Sequence, residues 1–237
     1  MANLLLIPTT YERDWIISSL RRRDAEAPRG AADGTQWELE IIGFGLVAAG
    51  IATASAIMRH RPQRVLLLGI AGSYDERLAI GSACSFDRVT CHGIGIGGEG
   101  DDTYRSASEL GWAQCEASAT RRAIGDTIEM ADDPSYTAVR DLSQRAGTPQ
   151  HLLSVTSASA NEAQAKRRRH NFPTAVAEDM EGYAVAMACR LANVPLQIIR
   201  GISNRAGDRN HAHWQVEPAL NSAIELASQQ LGVTFDL

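Results

Sequence analysis

Two carboxylates and one amide in this chain occupy positions from which they could act on a bound ligand. Glu12 follows the apolar run Asn3–Ile7, and Glu181 stands where a helix of small residues begins. Asn204 comes just after the apolar run 196–202. A carboxylate can take a proton from water or balance a positive charge, whereas an amide can only donate and accept hydrogen bonds.

Each of these residues also has an ordinary structural explanation. An acid in the first turn of a helix is stabilised by the helix dipole, and Thr9 or Thr10 would cap a helix carrying Glu12. Glu181 can likewise be a helix-start acid, and Asn204 a turn former. Their joint occurrence favours function, because strand ends and helix starts face one crevice in an open α/β sheet.

Strands and helices alternate along the chain. The predicted strands are Asn3–Ile7, 37–43, 65–68, 83–89, 152–155 and 196–202. The predicted helices are Leu46–His60, 183–192 and Val216–Leu231, and a helical segment is expected within 106–124. Such alternation predicts parallel strand pairing in a three-layer α/β/α fold. No repeat or change in composition marks a boundary, so a single domain over residues 1–237 is expected.

A glycine-rich segment, Gly69-Ile70-Ala71-Gly72-Ser73, follows the predicted strand 65–68. Glycines there let a backbone approach a ligand closely, and exposed amides can bind anions. The segment matches neither a GxGxxG fingerprint nor a P-loop, and a simple tight turn is an equal alternative. A second glycine-rich segment, 93–100, is predicted to be a mobile loop and a candidate lid.

Composition excludes several classes of protein. Of 237 residues, 44% are hydrophobic and 22% charged, which is typical of a globular chain. The net charge of −5 gives no reason to expect nucleic acid as a partner. No secretion signal and no membrane-spanning run are recognisable. Four cysteines without a CxxC pair are expected to be reduced thiols, so a cytoplasmic location is predicted.

The remaining motifs are interpreted structurally. His211 and His213 form an HxH pair, but no second ligand cluster completes a metal site, and no cofactor is indicated. The basic runs 21–23 and 166–169 are predicted to be solvated helix faces. Tyr183, four residues before Met187, is predicted to pack in the core.

The order of residues in 177–209 resembles the purine nucleoside phosphorylase and nucleosidase superfamily, whose members break the bond between a purine and its ribose. His170-Asn171-Phe172-Pro173, followed by Met180-Glu181, is similar to bacterial 5′-methylthioadenosine/S-adenosylhomocysteine nucleosidases. The similarity extends from Leu4 to the final helix. It implies a mixed, mostly parallel sheet, a small-molecule nucleoside as substrate and a homo-oligomer, a dimer or higher.

The resemblance also implies roles for single residues. A glutamate at the position of Glu12 activates the attacking water, and a Met180-Glu181 pair holds the ribose. The backbone of Ile70, Ala71 and Gly72 would lie along the substrate. Hexameric phosphorylases have a phosphate-contacting serine where Ile70 stands, so hydrolysis rather than phosphorolysis is expected.

Asn204 departs from the nucleosidase pattern. Those enzymes carry an aspartic acid there, which protonates N7 of the leaving adenine, whereas an amide cannot surrender a proton. An amide suits a 6-oxopurine, and Ser203-Asn204 together with Gly207-Asp208-Arg209 and Trp214 resembles futalosine hydrolases. Those enzymes of the alternative menaquinone pathway release hypoxanthine and dehypoxanthine futalosine. A methylthioadenosine nucleosidase, a purine nucleoside phosphorylase and a non-catalytic nucleoside-binding protein remain alternatives.

Overall fold

The computed structural model describes residues 3–26, 36–97, 103–118, 122–130 and 150–231. Its strands are β1 (Asn3–Ile7), β2 (Trp37–Ile41), β3 (Val65–Ser73), β4 (Ala83–Phe86), β5 (Arg88–His92), β6 (Gly95–Ile96), β7 (Arg105–Ser106), β8 (Thr127–Glu129), β9 (His151–Val155), β10 (Ala175–Asp179) and β11 (Leu196–Arg205). Its α-helices are α1 (Thr10–Glu26), α2 (Leu46–His60), α3 (Glu162–Asn171), α4 (Gly182–Ala192) and α5 (Val216–Leu231). Short 3-10 turns lie at Ser108–Leu110 and His211–His213.

The centre of the fold is a mixed sheet, which has nine strands within the described ranges. Its main path is β2-β1-β3-β10-β9-β5-β8, while β11 pairs along β3 and carries β4 on its other edge. Strand β3 is parallel to β1 and β11, and β9 is parallel to β10 and β5. The pairs β3–β10, β4–β11 and β5–β8 are antiparallel. The mixed, mostly parallel sheet expected from the resemblance is confirmed.

Helices cover both faces of this sheet. In β1, Leu4 and Leu6 pack into the cluster that contains α2 and α4, whereas Leu5 and Ile7 pack with α1 and α5. Successive strand side chains point to opposite faces, so the two clusters lie on opposite sides of the sheet. The predicted three-layer α/β/α architecture is therefore confirmed.

The helical segment expected within 106–124 is short. The described part of this stretch contains the 3-10 turn Ser108–Leu110, ended by Gly111 in the left-handed region at φ 80°. Further on, Cys115 and Ile124 form an antiparallel bridge, which requires extended backbone. A glycine in the left-handed conformation stops a helix, and the bridge turns the chain back.

The glycine-rich segment 69–73 is not a turn. It is the second half of β3, which pairs with β11 as far as Ser73. The predicted strand 83–89 is also divided, because the chain breaks at Asp87 into β4 and β5, which pair with different neighbours. A pattern of apolar residues cannot reveal such a break, since both halves are buried.

The candidate lid, 93–100, lies partly outside the described residues, at 98–100. Within the described part, Gly95–Ile96 pairs with Arg105–Ser106 as a two-stranded ribbon. Across the described ranges, no helix combines the length and apolar character that a bilayer span requires.

Candidate active site

A cavity of about 730 Å³ opens at the carboxyl ends of β1, β3, β10 and β11. Its volume is that of a small-molecule site, and its place is where open α/β sheets bind ligands. All eight site residues predicted from the sequence line it: Glu12, Ile70, Ala71, Gly72, Met180, Glu181, Ser203 and Asn204. The fold thus brings together residues that are up to 192 positions apart in sequence.

Glu12 lies in the first turn of α1 and is 3% exposed. Thr9 donates to its Oε2 through the backbone N–H at 3.0 Å and through Oγ at 2.6 Å. The backbone N–H of Glu12 donates to Thr9 Oγ at 3.3 Å, which completes a reciprocal capping box. Glu12 is therefore a helix-start acid capped by Thr9, and it also lines the cavity.

The electrostatic environment of Glu12 favours a proton acceptor. Burial raises the pKa of its carboxyl, and the hydrogen bonds from Thr9 and the charge of Arg200 oppose that rise without cancelling it. A carboxylate with a raised pKa is a stronger base than an exposed glutamate. A water bound in the cavity is the proton donor that such a base could use.

A fully buried arginine, Arg200, holds the carboxylates of Asp179 and Glu181. Arg200 in β11 donates through Nε to Asp179 Oδ2 at 3.1 Å, and through Nη2 to Asp179 and, at 3.3 Å, to Glu181 Oε2. A Cβ on Gly69 would overlap Arg200 Nη1 and lie 2.9 Å from Glu12 Oε1. Position 69 therefore accepts only glycine without rearrangement, because the guanidinium fills the space beside it.

Glu181 is held from two sides where α4 begins. Its Oε1 accepts a hydrogen bond from the backbone N–H of Gly45 at 3.1 Å, and its Oε2 faces Arg200. Burial raises the pKa of its carboxyl, and the negative charges of Asp179 and Glu12 add to the rise, while Arg200 opposes it. The Glu181 carboxyl can thus gain or lose its proton near neutral pH, rather than in the acid range of an ordinary glutamate.

Asn204 lines the cavity in a fixed orientation. Its Nδ2 donates to the carbonyl oxygen of Arg205 at 2.8 Å, and its Oδ1 accepts from Ser203 Oγ at 2.8 Å. Since a carbonyl oxygen cannot donate, the amide nitrogen must face Arg205. One Nδ2 hydrogen and one lone pair of Oδ1 are left for a ligand.

Sequence reasoning missed the roles of Asp179 and Arg200 as a buried pair. The signal was present, because Arg200 is the single charged residue within the predicted buried strand 196–202. A charge inside a buried strand requires a buried partner. Asp179, two residues before Glu181, supplies that partner.

A second buried ion pair corrects the prediction of a solvated basic run 166–169 at one residue, Arg168, whereas Lys166 and Arg167 are exposed as predicted. Arg168 is 2% exposed, and its Nη1 lies 2.8 Å from Glu178 Oε2. Ser159 donates to Glu178 through its backbone N–H at 2.8 Å and through Oγ at 2.6 Å, and the Tyr74 hydroxyl also donates to it. Glu178 lines the cavity, so this network fixes part of its wall.

Three aromatic side chains also line the cavity. Tyr11, Phe44 and Trp214 line the cavity, and Trp214 stacks on His211 with ring centroids 4.4 Å apart. His213 contacts Asp208 rather than a metal, and no group of side chains suited to hold a metal ion occurs within the described ranges. Tyr183 lies in the core, as predicted, with its hydroxyl on the carbonyl of Gly125.

Known proteins of similar sequence cover most of this chain. The family model described as Phosphorylase superfamily matches residues 29–234. A 5′-methylthioadenosine/S-adenosylhomocysteine nucleosidase of Psychromonas ingrahamii is 30% identical over 188 residues, which cover 79% of this chain and 76% of that protein. A futalosine hydrolase of Acidothermus cellulolyticus is 29% identical over 238 residues, covering 98% of this chain and 91% of that protein.

Solved structures show the same fold. The futalosine hydrolase of Helicobacter pylori superposes with a TM-score of 0.71 at 16% identity and covers 98% of this chain and 97% of that one. The 5′-methylthioadenosine/S-adenosylhomocysteine nucleosidase from Colwellia psychrerythraea, in complex with adenine, gives a TM-score of 0.69 at 20% identity, with 98% and 95% covered. The chain therefore belongs to the phosphorylase superfamily, and it is an N-glycosyl hydrolase, a nucleosidase.

Proposed function

We propose that this nucleosidase hydrolyses the N-glycosidic bond of futalosine and releases hypoxanthine and dehypoxanthine futalosine in menaquinone biosynthesis. The observation that carries the proposal is Asn204, an oriented amide where adenine-specific relatives would need an acid. Futalosine hydrolases are among the relatives, including that of Streptomyces coelicolor at 28% identity over 218 residues. An amide can serve hypoxanthine without transferring a proton.

In this proposal Glu181 and Met180 hold the ribose. Hydrolysis of an N-riboside builds positive charge on the sugar, as in O-glycoside cleavage. Glu181 accepts hydrogen bonds from the ribose hydroxyls and stabilises that charge, which is a large contribution in a buried site. The backbone of Ile70, Ala71 and Gly72 lies along the bound nucleoside.

Glu12 acts as the general base. A carboxylate has about four acceptor positions, and hydrogen bonds from Thr9 and Ile70 occupy three of them. The remaining position, on Oε1, accepts the proton of a water that lies on the face of the ribose opposite the purine. Positioned proton transfer of this kind contributes roughly 10²- to 10⁴-fold to the rate.

Asn204 addresses the leaving purine. Its remaining Nδ2 hydrogen is donated to an acceptor of the base, and Ser203 holds Oδ1 in place. Hypoxanthine leaves more readily than adenine, so a hydrogen bond replaces the proton that an acid would transfer. Release of base from futalosine and from 5′-methylthioadenosine, measured side by side, tests the assignment, and faster cleavage of methylthioadenosine would overturn it.

The second candidate is a 5′-methylthioadenosine/S-adenosylhomocysteine nucleosidase, favoured by the 30% identity to the Psychromonas ingrahamii protein. It would use the same Glu12 and Glu181.

A purine nucleoside phosphorylase would instead need a site that binds anionic phosphate. The carboxylate of Glu12 would repel phosphate from such a site. Base release that requires phosphate and yields ribose 1-phosphate would show a phosphorylase; equal rates with and without phosphate are expected.

We also propose that the enzyme is a homo-oligomer, a dimer or higher. Three apolar side chains of α2, Val47, Ile51 and Met58, are 69–77% exposed and share one helix face, with Phe44 68% exposed beside them. A second copy of the chain would cover this face. Light scattering should give a multiple of 25.6 kDa for the wild type and for the exposed control Gln229→Glu. Ile51→Glu should dissociate it, and a wild-type monomer at all concentrations contradicts the proposal.

A cytoplasmic location is proposed with it. The four cysteines, all within the described residues, form no disulfide with one another, and Cys84, Cys91 and Cys189 are buried. Cysteines without disulfides are typical of reducing compartments. Cell fractionation would check this, and recovery of the protein outside the cytoplasm would contradict it.

A further inference from the structure

The wall of the cavity is strongly acidic, with one exception. Five carboxylate residues line it: Glu12, Glu178, Asp179, Glu181 and Glu217. Among the described residues that form the wall, Arg209 contributes the single guanidinium. A neutral nucleoside offers no charge for this cation to bind, so its presence points to an anionic group on the ligand.

The guanidinium of Arg209 is available to a ligand. The side chain is exposed, and it makes no hydrogen bond or ion pair with any residue that the structure describes. Its Cζ lies 5.2 Å from the centroid of the Trp214 ring, a cation–π distance. Because the fork of an arginine matches a carboxylate in two parallel hydrogen bonds, a carboxylate is the anion that fits best.

Trp214 is held rigidly beside Arg209. Its Nε1 donates to the carbonyl oxygen of Asp208 at 3.0 Å, and its ring lies nearly parallel to His211, at 17°. The backbone N–H of Gln215 donates to the carbonyl of Ser203 at 2.8 Å and ties this loop to the end of β11. Trp214 and His211 thus present a fixed aromatic platform next to the cation.

The remaining part of the nucleoside determines what this platform contacts. In the proposed function Asn204 takes the base and Glu181 takes the ribose hydroxyls, which leaves the 5′ substituent to be bound. We propose that Arg209, Trp214 and His211 form a subsite for an aromatic carboxylate at the 5′ end of the nucleoside. Arg209 pairs with the carboxylate, and the aromatic ring of the tail packs against the Trp214–His211 pair. The inference rests on the proposed function, whose substrate carries a carboxylated aryl-keto tail.

Arg209→Gln tests the subsite through two pairs of substrates. Futalosine and inosine share hypoxanthine but differ in the tail, and S-adenosylhomocysteine and 5′-methylthioadenosine share adenine but differ in a carboxylate-bearing tail. For futalosine the variant should lose on the order of 10- to 100-fold in kcat/KM, mostly through KM, because a charge-assisted pair is removed. Inosine should change less than about 2-fold, since it lacks the group that Arg209 binds.

Three further variants separate the charge from the structure of the loop. Arg209→Lys keeps the charge and should recover part of the loss for futalosine, but not the full value, because lysine cannot form the paired hydrogen bonds. Trp214→Leu should also lower kcat/KM for futalosine more than for inosine. Arg167→Gln removes an exposed arginine of α3 outside the cavity and should leave both substrates unchanged.

The outcomes distinguish this inference from the proposed function. If the wild type prefers S-adenosylhomocysteine to futalosine and Arg209→Gln lowers that activity selectively, Arg209 binds a carboxylate, but the aromatic part of the subsite and the futalosine assignment both fail. If Arg209→Gln changes both members of a pair by the same factor, or neither, the subsite is overturned. A wild type that prefers, in each pair, the substrate without a carboxylate also overturns the subsite.

Discussion

Oε1 of Glu12 accepts a hydrogen bond from the backbone N–H of Ile70 at 3.0 Å, across 58 positions of sequence. This bond fixes the proposed base to the end of β3, whose backbone lines the cavity. Just beside it, Gly69 leaves room for the buried guanidinium of Arg200. The base, the strand and the arginine that supports Glu181 therefore form one contiguous unit, and substitutions within it are expected to act non-additively.

Glu12→Gln is expected to abolish turnover while leaving substrate binding nearly intact. The amide keeps the shape of the side chain and loses its basicity, so about 10²- to 10⁴-fold of the rate should disappear. Titration calorimetry with futalosine measures binding, and base release measures turnover. Glu217→Gln, at an exposed position of the same cavity, is the matched control and should retain activity. Wild-type turnover by Glu12→Gln would show that the assigned base is wrong.

The pH dependence of kcat/KM should show an acid limb well above the ordinary glutamate pKa of 4.5. Burial raises the pKa of Glu12 and of Glu181, so both carboxyls keep their protons to higher pH than exposed ones. Each proposed role requires the ionised form, so activity is lost as pH falls through the raised values. A steady-state profile from pH 4 to 9 measures this. An acid limb at about pH 4.5 would contradict the proposed environment.

Gly69→Ala should destabilise the protein and lower its activity. The added Cβ would overlap Arg200 Nη1 and crowd Glu12 Oε1, and overpacking of this kind costs about 1–3 kcal/mol. Gly50→Ala, in α2, is the matched control. Its Cβ would lie at an ordinary distance of 3.6 Å from the Cβ of Ala184, and alanine favours the helical conformation over glycine. Thermal unfolding should show a lower Tm for the first and an equal or higher Tm for the second. Equal values for both would show that position 69 has space.

Much of this architecture was predictable from the sequence. The apolar runs of β1 and β3 are continuous because both faces of each strand are buried, and such runs are recognisable without a structure. Eight of the residues that line the cavity were also named in advance. Glu12, Glu181 and Asn204 were recognisable because strand ends and helix starts in this fold class converge on one edge, and the others came from the resemblance. Their chemical roles rest on the resemblance and stay predictions until the variants are measured.

What the sequence did not reveal depends on distant partners. Helix α1 buries Ile16 and Leu20 but is otherwise largely polar, so it shows no clear apolar stripe. Arg168 stands in a basic run that is typical of a solvated surface, and only the folded sheet brings Glu178 to it. The hydrogen-bond partners of Asn204 likewise follow from the register shift in β11 between Ile202 and Asn204, which residue types do not specify.

Asn204 leads to the most discriminating prediction, which concerns the leaving base. Adenine leaves poorly unless N7 is protonated, and an amide cannot deliver that proton, so futalosine should be cleaved at least about 100-fold faster than aminofutalosine, its adenine counterpart.

Asn204→Asp should shift preference towards the adenine nucleoside. A carboxyl at this position would face the carbonyl oxygen of Arg205, 2.8 Å from the present Nδ2, and two oxygens so close favour the protonated carboxyl, which raises its pKa and keeps an acid available at higher pH. Asn204→Ala, which offers neither donor nor acid, should slow both substrates and shows whether the amide itself contributes. Side-by-side kcat/KM values for futalosine, aminofutalosine, 5′-methylthioadenosine and inosine decide the matter: if the wild type turns over methylthioadenosine faster than futalosine, Asn204 does not select a 6-oxopurine.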